Sequence, residues 1–162
     1  MSRWMSQDIT FPRHEIGERN TTRIFFKIRN IGRGDIRLLI YECKKKKNYS
    51  PYKIELQLNE ALWFLDFLKS DNIKGSYKNT NPAFILFLPI GKEGREVTVE
   101  KRNDVLHINV YEYYNKSLNF IYLYKNEFVN LLRYTNEICD KIIKLAKLFD
   151  RNIEDNNCII SY

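Results

Sequence analysis

The sequence predicts an α+β domain built from two ββββα repeats, with curved antiparallel sheets packed on helices. Three observations carry this expectation. Short alternating segments rich in β-branched and aromatic residues fall into two groups of four. An apolar pattern at helical spacing follows each group. The two groups also close their segments on the same residue pairs in the same order, the mark of an internal duplication. At 162 residues the chain is about one domain long, and 44% hydrophobic with 29% charged residues excludes wholesale disorder.

In the first repeat the strand signals run over Trp4–Phe11, Thr22–Asn30, Asp35–Lys44 and Tyr52–Leu58. Ile31-Gly32-Arg33-Gly34 is a turn, and Asn48-Tyr49-Ser50-Pro51 lies in the next loop. Asn59 is the expected N-cap of a helix reaching Ser70. In the second repeat the strands are Phe84–Pro89, Glu96–Arg102, Val105–Tyr114 and Leu118–Tyr124, followed by a helix from Asn126 to Phe149. The expected organisation is one domain over 1–162, with repeat 1 at about 4–70, a linker at about 71–82, repeat 2 at about 83–149 and a mobile tail at about 151–162.

The repeat is read from shared pairs. Ile24 to Asn30 aligns with Val97 to Asn103, both closing on Arg-Asn. Ile36 to Glu42 aligns with Leu106 to Glu112, both closing on Tyr-Glu. Ile54 to Glu60 aligns with Ile121 to Glu127, both reaching Asn-Glu. Ile16-Gly17-Glu18-Arg19 loosely echoes Ile90-Gly91-Lys92-Glu93.

Alternation separates two faces. Ile24, Phe26, Ile28, Ile36, Leu38, Ile40, Ile54 and Leu56 point one way, with Val97, Val99, Leu106, Ile108, Val110, Ile121 and Leu123 as counterparts. That face needs a helix to cover it. The opposite face mixes rings with cations: Phe25, Lys27, Arg29, Arg37, Leu39, Tyr41, Lys53, Arg102, His107, Asn109, Tyr111, Tyr113, Phe120, Tyr122 and Tyr124. Aromatic rings among Arg and Lys supply stacking platforms and phosphate neutralisation for a single strand. The same tyrosines would also serve as cross-strand packing pairs.

Charge sharpens the picture. Residues 1–50 hold 12 Lys and Arg against five acids, so they carry the whole net charge of +7. The run Lys44-Lys45-Lys46-Lys47 ends this segment. It suits a polyanion partner, or is a solvated hairpin loop.

Arg23 to Gly34, continuing through Leu38 to Glu42, resembles the PUR repeat, in which an aromatic strand, a basic Asn- and Gly-containing turn and a strand ending in Glu follow in order. Phe120 to Phe128 is similar to the last strand and helix start of bacterial PUR-type proteins. Two such repeats would form one PUR/Whirly-like domain, related in fold to Whirly proteins, kinetoplastid guide-RNA-binding proteins and single-stranded-DNA-binding coactivators. The resemblance implies single-stranded DNA or RNA as partner. It also implies a nucleic-acid site made of Phe25, Lys27, Arg29, Asn30, Arg33, Arg37, Tyr41, Lys44, Lys45, Lys46, Lys47, Lys101, Arg102, Asn103, His107, Tyr111, Tyr113 and Tyr122. Repeat 2 departs from the family pattern in lacking a glycine turn and in carrying Glu100 on the binding face. Repeat 1 is therefore expected to supply more of the charge and repeat 2 more of the stacking.

Other chemistries find little support. His14 and His107 stand apart from any Ser or Cys elbow, and no phosphate-loop, dinucleotide or HExxH motif occurs. No catalytic residue, metal site or cofactor is expected. Cys43, Cys139 and Cys158 lack metal-site spacing, and their odd number argues against a disulfide framework. The longest apolar run, Ala83 to Leu88, is far short of the roughly 20 residues of a membrane span. Met1-Ser2-Arg3-Trp4 lacks the apolar core of a signal peptide, so the expected location is intracellular: nucleus or cytoplasm, or nucleoid in a bacterium. Phe128, Leu131, Thr135, Ile138, Ile142, Leu145 and Phe149 form a stripe that either packs across both repeats or pairs two copies into a homodimer. The expected function is single-stranded DNA or RNA binding in transcription, replication or RNA handling. The alternative is a protein-interaction or dimerisation module on the same duplicated fold.

Overall fold

The computed structural model describes residues 9–31, 35–46, 52–69, 83–90, 93–102, 105–148 and 159–161. The first half contains β1 (Ile9–Thr10), β2 (His14–Glu18), β3 (Thr22–Asn30), β4 (Ile36–Lys44), β5 (Tyr52–Gln57) and α1 (Leu58–Lys69). The second contains β6 (Ala83–Ile90), β7 (Glu93–Arg102), β8 (Val105–Glu112), β9 (Ser117–Tyr124), α2 (Lys125–Arg133), α3 (Thr135–Leu148) and β10 (Ile159–Ser161). The glycine turn at Gly32–Gly34 and the linker lie outside the described residues.

Each half is one antiparallel sheet. In the first, β1 and β2 share one edge of β3, and the order continues through β4 to β5. In the second the order is β10-β6-β7-β8-β9. Strand β2 escapes sequence reading because His-Glu-Ile-Gly-Glu offers a single large apolar residue, Ile16, beside a glycine that weakens strand signals. A register shift between Glu15 and Gly17 bends it. Ile159–Ser161 pairs with β6 along the edge away from β7, and the rest of the tail expected to be mobile lies outside the described residues.

The core-facing residues expected from alternation are all buried, from Ile24 at 0% to Ile28 at 4% exposure, and residues of both halves form a single cluster. The halves interleave. Helix α2 lies on β2, α3 touches β4 and α1, and the sheets meet where β5 lies against β8 and β9. Asn130 Nδ2 donates to the Ile16 carbonyl across this boundary at 2.8 Å. The stripe Phe128, Leu131, Thr135, Ile138, Ile142 and Leu145 is buried in this shared core. That is the packing alternative for these residues, and Phe149 lies outside the described set.

The long second helix is broken at Tyr134. Its N–H donates to the Leu131 carbonyl at 3.1 Å, and Thr135 Oγ1 donates to the same carbonyl at 3.2 Å. Such threonine back-bonding bends helices. The break seats the Tyr134 ring against His14 and Phe26, with centroids at 5.4 and 5.7 Å.

The repeat alignment needs one correction. Glu42 pairs with Ile24, whereas its counterpart Glu112 pairs with Arg95. Ile24 therefore corresponds to Arg95 rather than Val97, a slip of two residues. The first hairpin closes over residues 31–35 and the second over 103–104, and this difference absorbs the slip. A slip of two leaves every side chain on its own face, so the predicted core survives it.

Candidate nucleic-acid interface

The outward face of the first sheet is a set of cross-strand rows. Phe25, Tyr41 and Lys53 form one, Lys27, Leu39 and Glu55 the next, and Arg29, Arg37 and Gln57 the third. Phe25 and Tyr41 stack at 5.6 Å between centroids, and the Arg13 guanidinium lies 4.0 Å above Phe25. Lys27 Nζ stands 6.0 Å from the Tyr41 ring. Asp35 grips Arg37 with two hydrogen bonds of 3.1 and 3.0 Å, and Glu55 stands 3.5 Å from Arg29 and 3.6 Å from Arg37. The hydrogen bond from Arg37 to Asp35 raises the Arg37 pKa against its partial burial. Lys27 and Lys53 have no acidic partner among the described residues.

This basic field continues to the end of β4. Lys44, Lys45 and Lys46 are exposed beside Asn20 and Thr21, and Lys44 and Lys45 also adjoin Arg13, Arg23 and Cys43. Lys45 donates to Glu18 at 2.7 Å, which lowers the Glu18 pKa. Counting the rim, Arg13, Arg23, Lys27, Arg29, Arg37, Lys44, Lys45, Lys46 and Lys53 face Glu15, Glu18, Asp35 and Glu55, a clear cationic excess.

The second sheet differs. Its outward rows read Glu96, Tyr111, Leu118; Thr98, Asn109, Phe120; and Glu100, His107, Tyr122, with Tyr124 beyond. Register pairs Tyr124 with Val105 and Val105 with Arg102, so a single cation ends the last of these rows. Leu118 is 54% exposed, and Tyr113, Phe120 and Tyr124 are also exposed. Tyr52 and Phe120 meet at 5.1 Å, joining β5 to β9. Tyr113 lies in the β8–β9 turn rather than in a strand, and its hydroxyl donates to Glu96 at 3.0 Å, which raises its pKa.

Two reciprocal ion pairs bind the halves. Arg19 Nε and Nη2 donate to Glu127 at 3.0 and 2.7 Å, Nη2 also donates to the Tyr122 carbonyl at 2.7 Å, and Nη1 lies 3.3 Å from Glu42. In the other half Arg95 Nε donates to Glu60 at 2.7 Å, Nη2 donates to the Glu55 carbonyl at 2.6 Å, and Nη1 lies 2.9 Å from Glu112. Each of these helix glutamates also accepts the N–H of the residue before its helix, Gln57 or Tyr124, at 2.8 Å. The capping glutamate of each helix is thus held by an arginine of the opposite repeat. The shared Tyr-Glu and Asn-Glu pairs of the sequence are the acids of these two clusters. Burial opposes the Arg19 charge, but Glu127 and Glu42 outweigh it and the net pKa shift is upward.

At the first of these clusters the Arg19 guanidinium sits 4.7 Å from the Tyr122 ring and 4.6 Å from Tyr124. The two rings meet edge-on at 5.7 Å, and His107 lies 6.2 Å from Tyr122. Burial raises the Tyr122 pKa. The cationic field of repeat 1 and the tyrosines of repeat 2 thus adjoin across the Asn20–Thr21 turn.

Among the sequence-predicted residues, Lys27, Arg29, Arg37, Tyr41, Lys44, Lys45 and Lys46 share one field, and His107, Tyr111 and Tyr122 share the other. Phe25 faces outward but is only 6% exposed, under Arg13 and Tyr41. Asn30 does not join either field: it is 1% exposed on the core-facing side of β3, in the row of Ile36, because its position has the parity of Ile24 and Ile28. Register places Lys101 opposite Leu106 and Arg102 opposite Val105. Arg33, Lys47 and Asn103 lie outside the described residues. Arg13 and Arg19 carry no signal in the strand alternation, whereas Arg23 and Tyr124 stand on the aromatic and cationic face that alternation defines.

No family model matches the sequence, and no curated protein does. Among solved structures the chain is similar to WHY1 from Arabidopsis thaliana, with a TM-score of 0.42 and 14% identity over 86% of this chain and 94% of that one. It is also similar to the plant transcriptional regulator PBF-2, with a TM-score of 0.44 and 12% identity over 86% and 95%. Likenesses this low do not bear on the ligand.

Proposed function

We propose that this chain binds single-stranded DNA or RNA, along the outward face of the first sheet and across the repeat junction onto β9, in transcription, replication or RNA handling. One observation carries the reading: a cationic field, Lys27 to Lys46, adjoins the exposed Tyr124 and the half-buried Tyr122 across the Asn20–Thr21 turn. Phosphates supply affinity to such a field, and rings take unstacked bases from a single strand but not from a duplex.

The test separates charge from stacking. Lys44, Lys45 and Lys46 replaced together by Ala should weaken binding at low salt and flatten its salt dependence. Tyr122→Ala should weaken binding by about 1–3 kcal/mol at an unchanged salt slope. The reading fails if neither replacement changes affinity for an oligonucleotide. A second reading draws on Leu118, Phe120, Tyr113 and Glu96, an apolar and acidic surface poorly suited to a polyanion. It makes that surface a protein-interaction module, and self-association altered by Phe120→Ala would support it.

A further inference from the structure

The two reciprocal ion pairs share their plan, an Nε bond to a capping glutamate, an Nη2 bond to a carbonyl and an Nη1 pairing with a strand glutamate, with Arg19 adding a second bond to Glu127 through Nη2, yet they differ in what surrounds them. Tyr122 and Glu55 hold matching places, each offering its carbonyl to the opposite arginine. Tyr124 and Gln57 also match, each donating its N–H to a capping glutamate. Around Arg95 these places carry an acid and an amide. Around Arg19 they carry two rings, both within 5 Å of the guanidinium. Holding the halves together does not require aromatic residues there, since the Arg95 cluster does so without them.

The guanidinium of Arg19 has its donors committed to Glu127, Glu42 and the Tyr122 carbonyl, and its side chain is 12% exposed. Paired with two carboxylates, it is a poor contact for a phosphate. It can fix the two rings beside it, because a cation near a ring face is attracted to that face. Tyr124 remains 44% exposed at a cleft edged by Asn20, Thr21 and Asn126, whose amides and hydroxyl suit the polar edge of a base; its three carboxylates, Glu42, Glu127 and Glu18, are paired with Arg19 or Lys45. Asn20 and Thr21 also border Lys44, Lys45 and Lys46, so the phosphates flanking such a base lie beside cations.

We propose that the cleft at the repeat junction takes one unstacked nucleobase, with Tyr124 as its stacking ring and Arg19 as the positioning residue that holds Tyr122 and Tyr124 in place. The inference rests on the single-strand reading and adds a site for one base within it.

Arg95 provides the control. Arg19→Lys and Arg95→Lys each preserve charge while disturbing one ion-pair cluster, and both should lower the melting temperature by similar amounts. Only Arg19→Lys should weaken binding of a short single-stranded oligonucleotide, by about fivefold or more, with the salt slope unchanged. Tyr124→Ala should match that loss, and the double variant should lose no more than either single. In the ligand-free protein, Arg19→Lys should shift the ring resonances of Tyr122 and Tyr124, and Arg95→Lys should leave them in place. Equal loss of affinity in both arginine variants, or wild-type affinity in Arg19→Lys, would overturn the site. Unmoved ring resonances in Arg19→Lys would overturn the positioning role. Absence of binding by the wild-type protein would instead overturn the single-strand reading, and the resonances would still report on Arg19.

Discussion

Glu60→Ala probes how the two halves are joined. Glu60 is fully buried, and its two oxygens serve separate partners: Oε2 accepts from Arg95 at 2.7 Å and Oε1 from the Gln57 N–H at 2.8 Å. Removing the carboxylate leaves a guanidinium with 11% side-chain exposure short of its main counter-charge and uncaps α1. Breaking one side of a buried ion pair costs about 3–5 kcal/mol. Arg95 keeps Glu112 at 2.9 Å and the Glu55 carbonyl at 2.6 Å, so the lower end applies, about 3 kcal/mol. For a domain of this size that is a fall of about 6–12 °C in melting temperature. With a urea m-value of about 2 kcal/mol/M it is a midpoint shift of about 1.5 M. Urea unfolding followed by circular dichroism measures it. The double variant Glu60→Leu/Arg95→Met should recover most of the loss, because an apolar pair avoids the stranded charge. A Glu60→Ala protein within 0.5 kcal/mol of wild type, or a double variant no better than the single, would refute this account of the junction.

Three further outcomes follow from particular contacts. An added Cβ at Gly17 would collide with Glu127 Cγ, which Arg19 holds fast, so Gly17→Ala should destabilise the fold by about 1–3 kcal/mol in the same urea assay. The Asn30 amide is buried with neither atom partnered among the described residues, so Asn30→Leu should raise stability by about 1–3 kcal/mol and leave oligonucleotide affinity unchanged, as calorimetry and anisotropy will read. Because each capping glutamate is held by the opposite repeat, residues 1–76 and 77–162 expressed apart should be unfolded or aggregated, and sharp amide dispersion in either fragment would contradict a shared core.

The sheets were legible because alternation is a period-two signal that a small alignment error does not corrupt. Placing Ile24 on Val97 instead of Arg95 missed by two residues, yet every core residue kept its face. The same error hid the ion pairs, since Arg19 and Arg95 find their acids through the true register and through contacts over a hundred residues apart in one case. Strand β2 was invisible for a local reason, one apolar residue among polar neighbours and a glycine. The break at Tyr134 was hidden because the apolar stripe passes through it at the right spacing, and only packing on His14 and Phe26 marks it. Of the candidate site, the charge was readable from composition and the rings from strand parity. Asn30 follows the parity of Ile24 and Ile28 and so lies buried on the core side, away from the field its motif position implies.

The most direct test of the single-strand interface is the salt dependence of oligonucleotide binding by the intact chain, measured by fluorescence anisotropy on matched single-stranded and duplex probes. The cationic field predicts tighter binding to the single strand, with log affinity falling linearly against log salt by about 0.7 for each phosphate contacted. Absence of salt-sensitive binding to any single strand at micromolar protein, or equal affinity for the duplex, would contradict it.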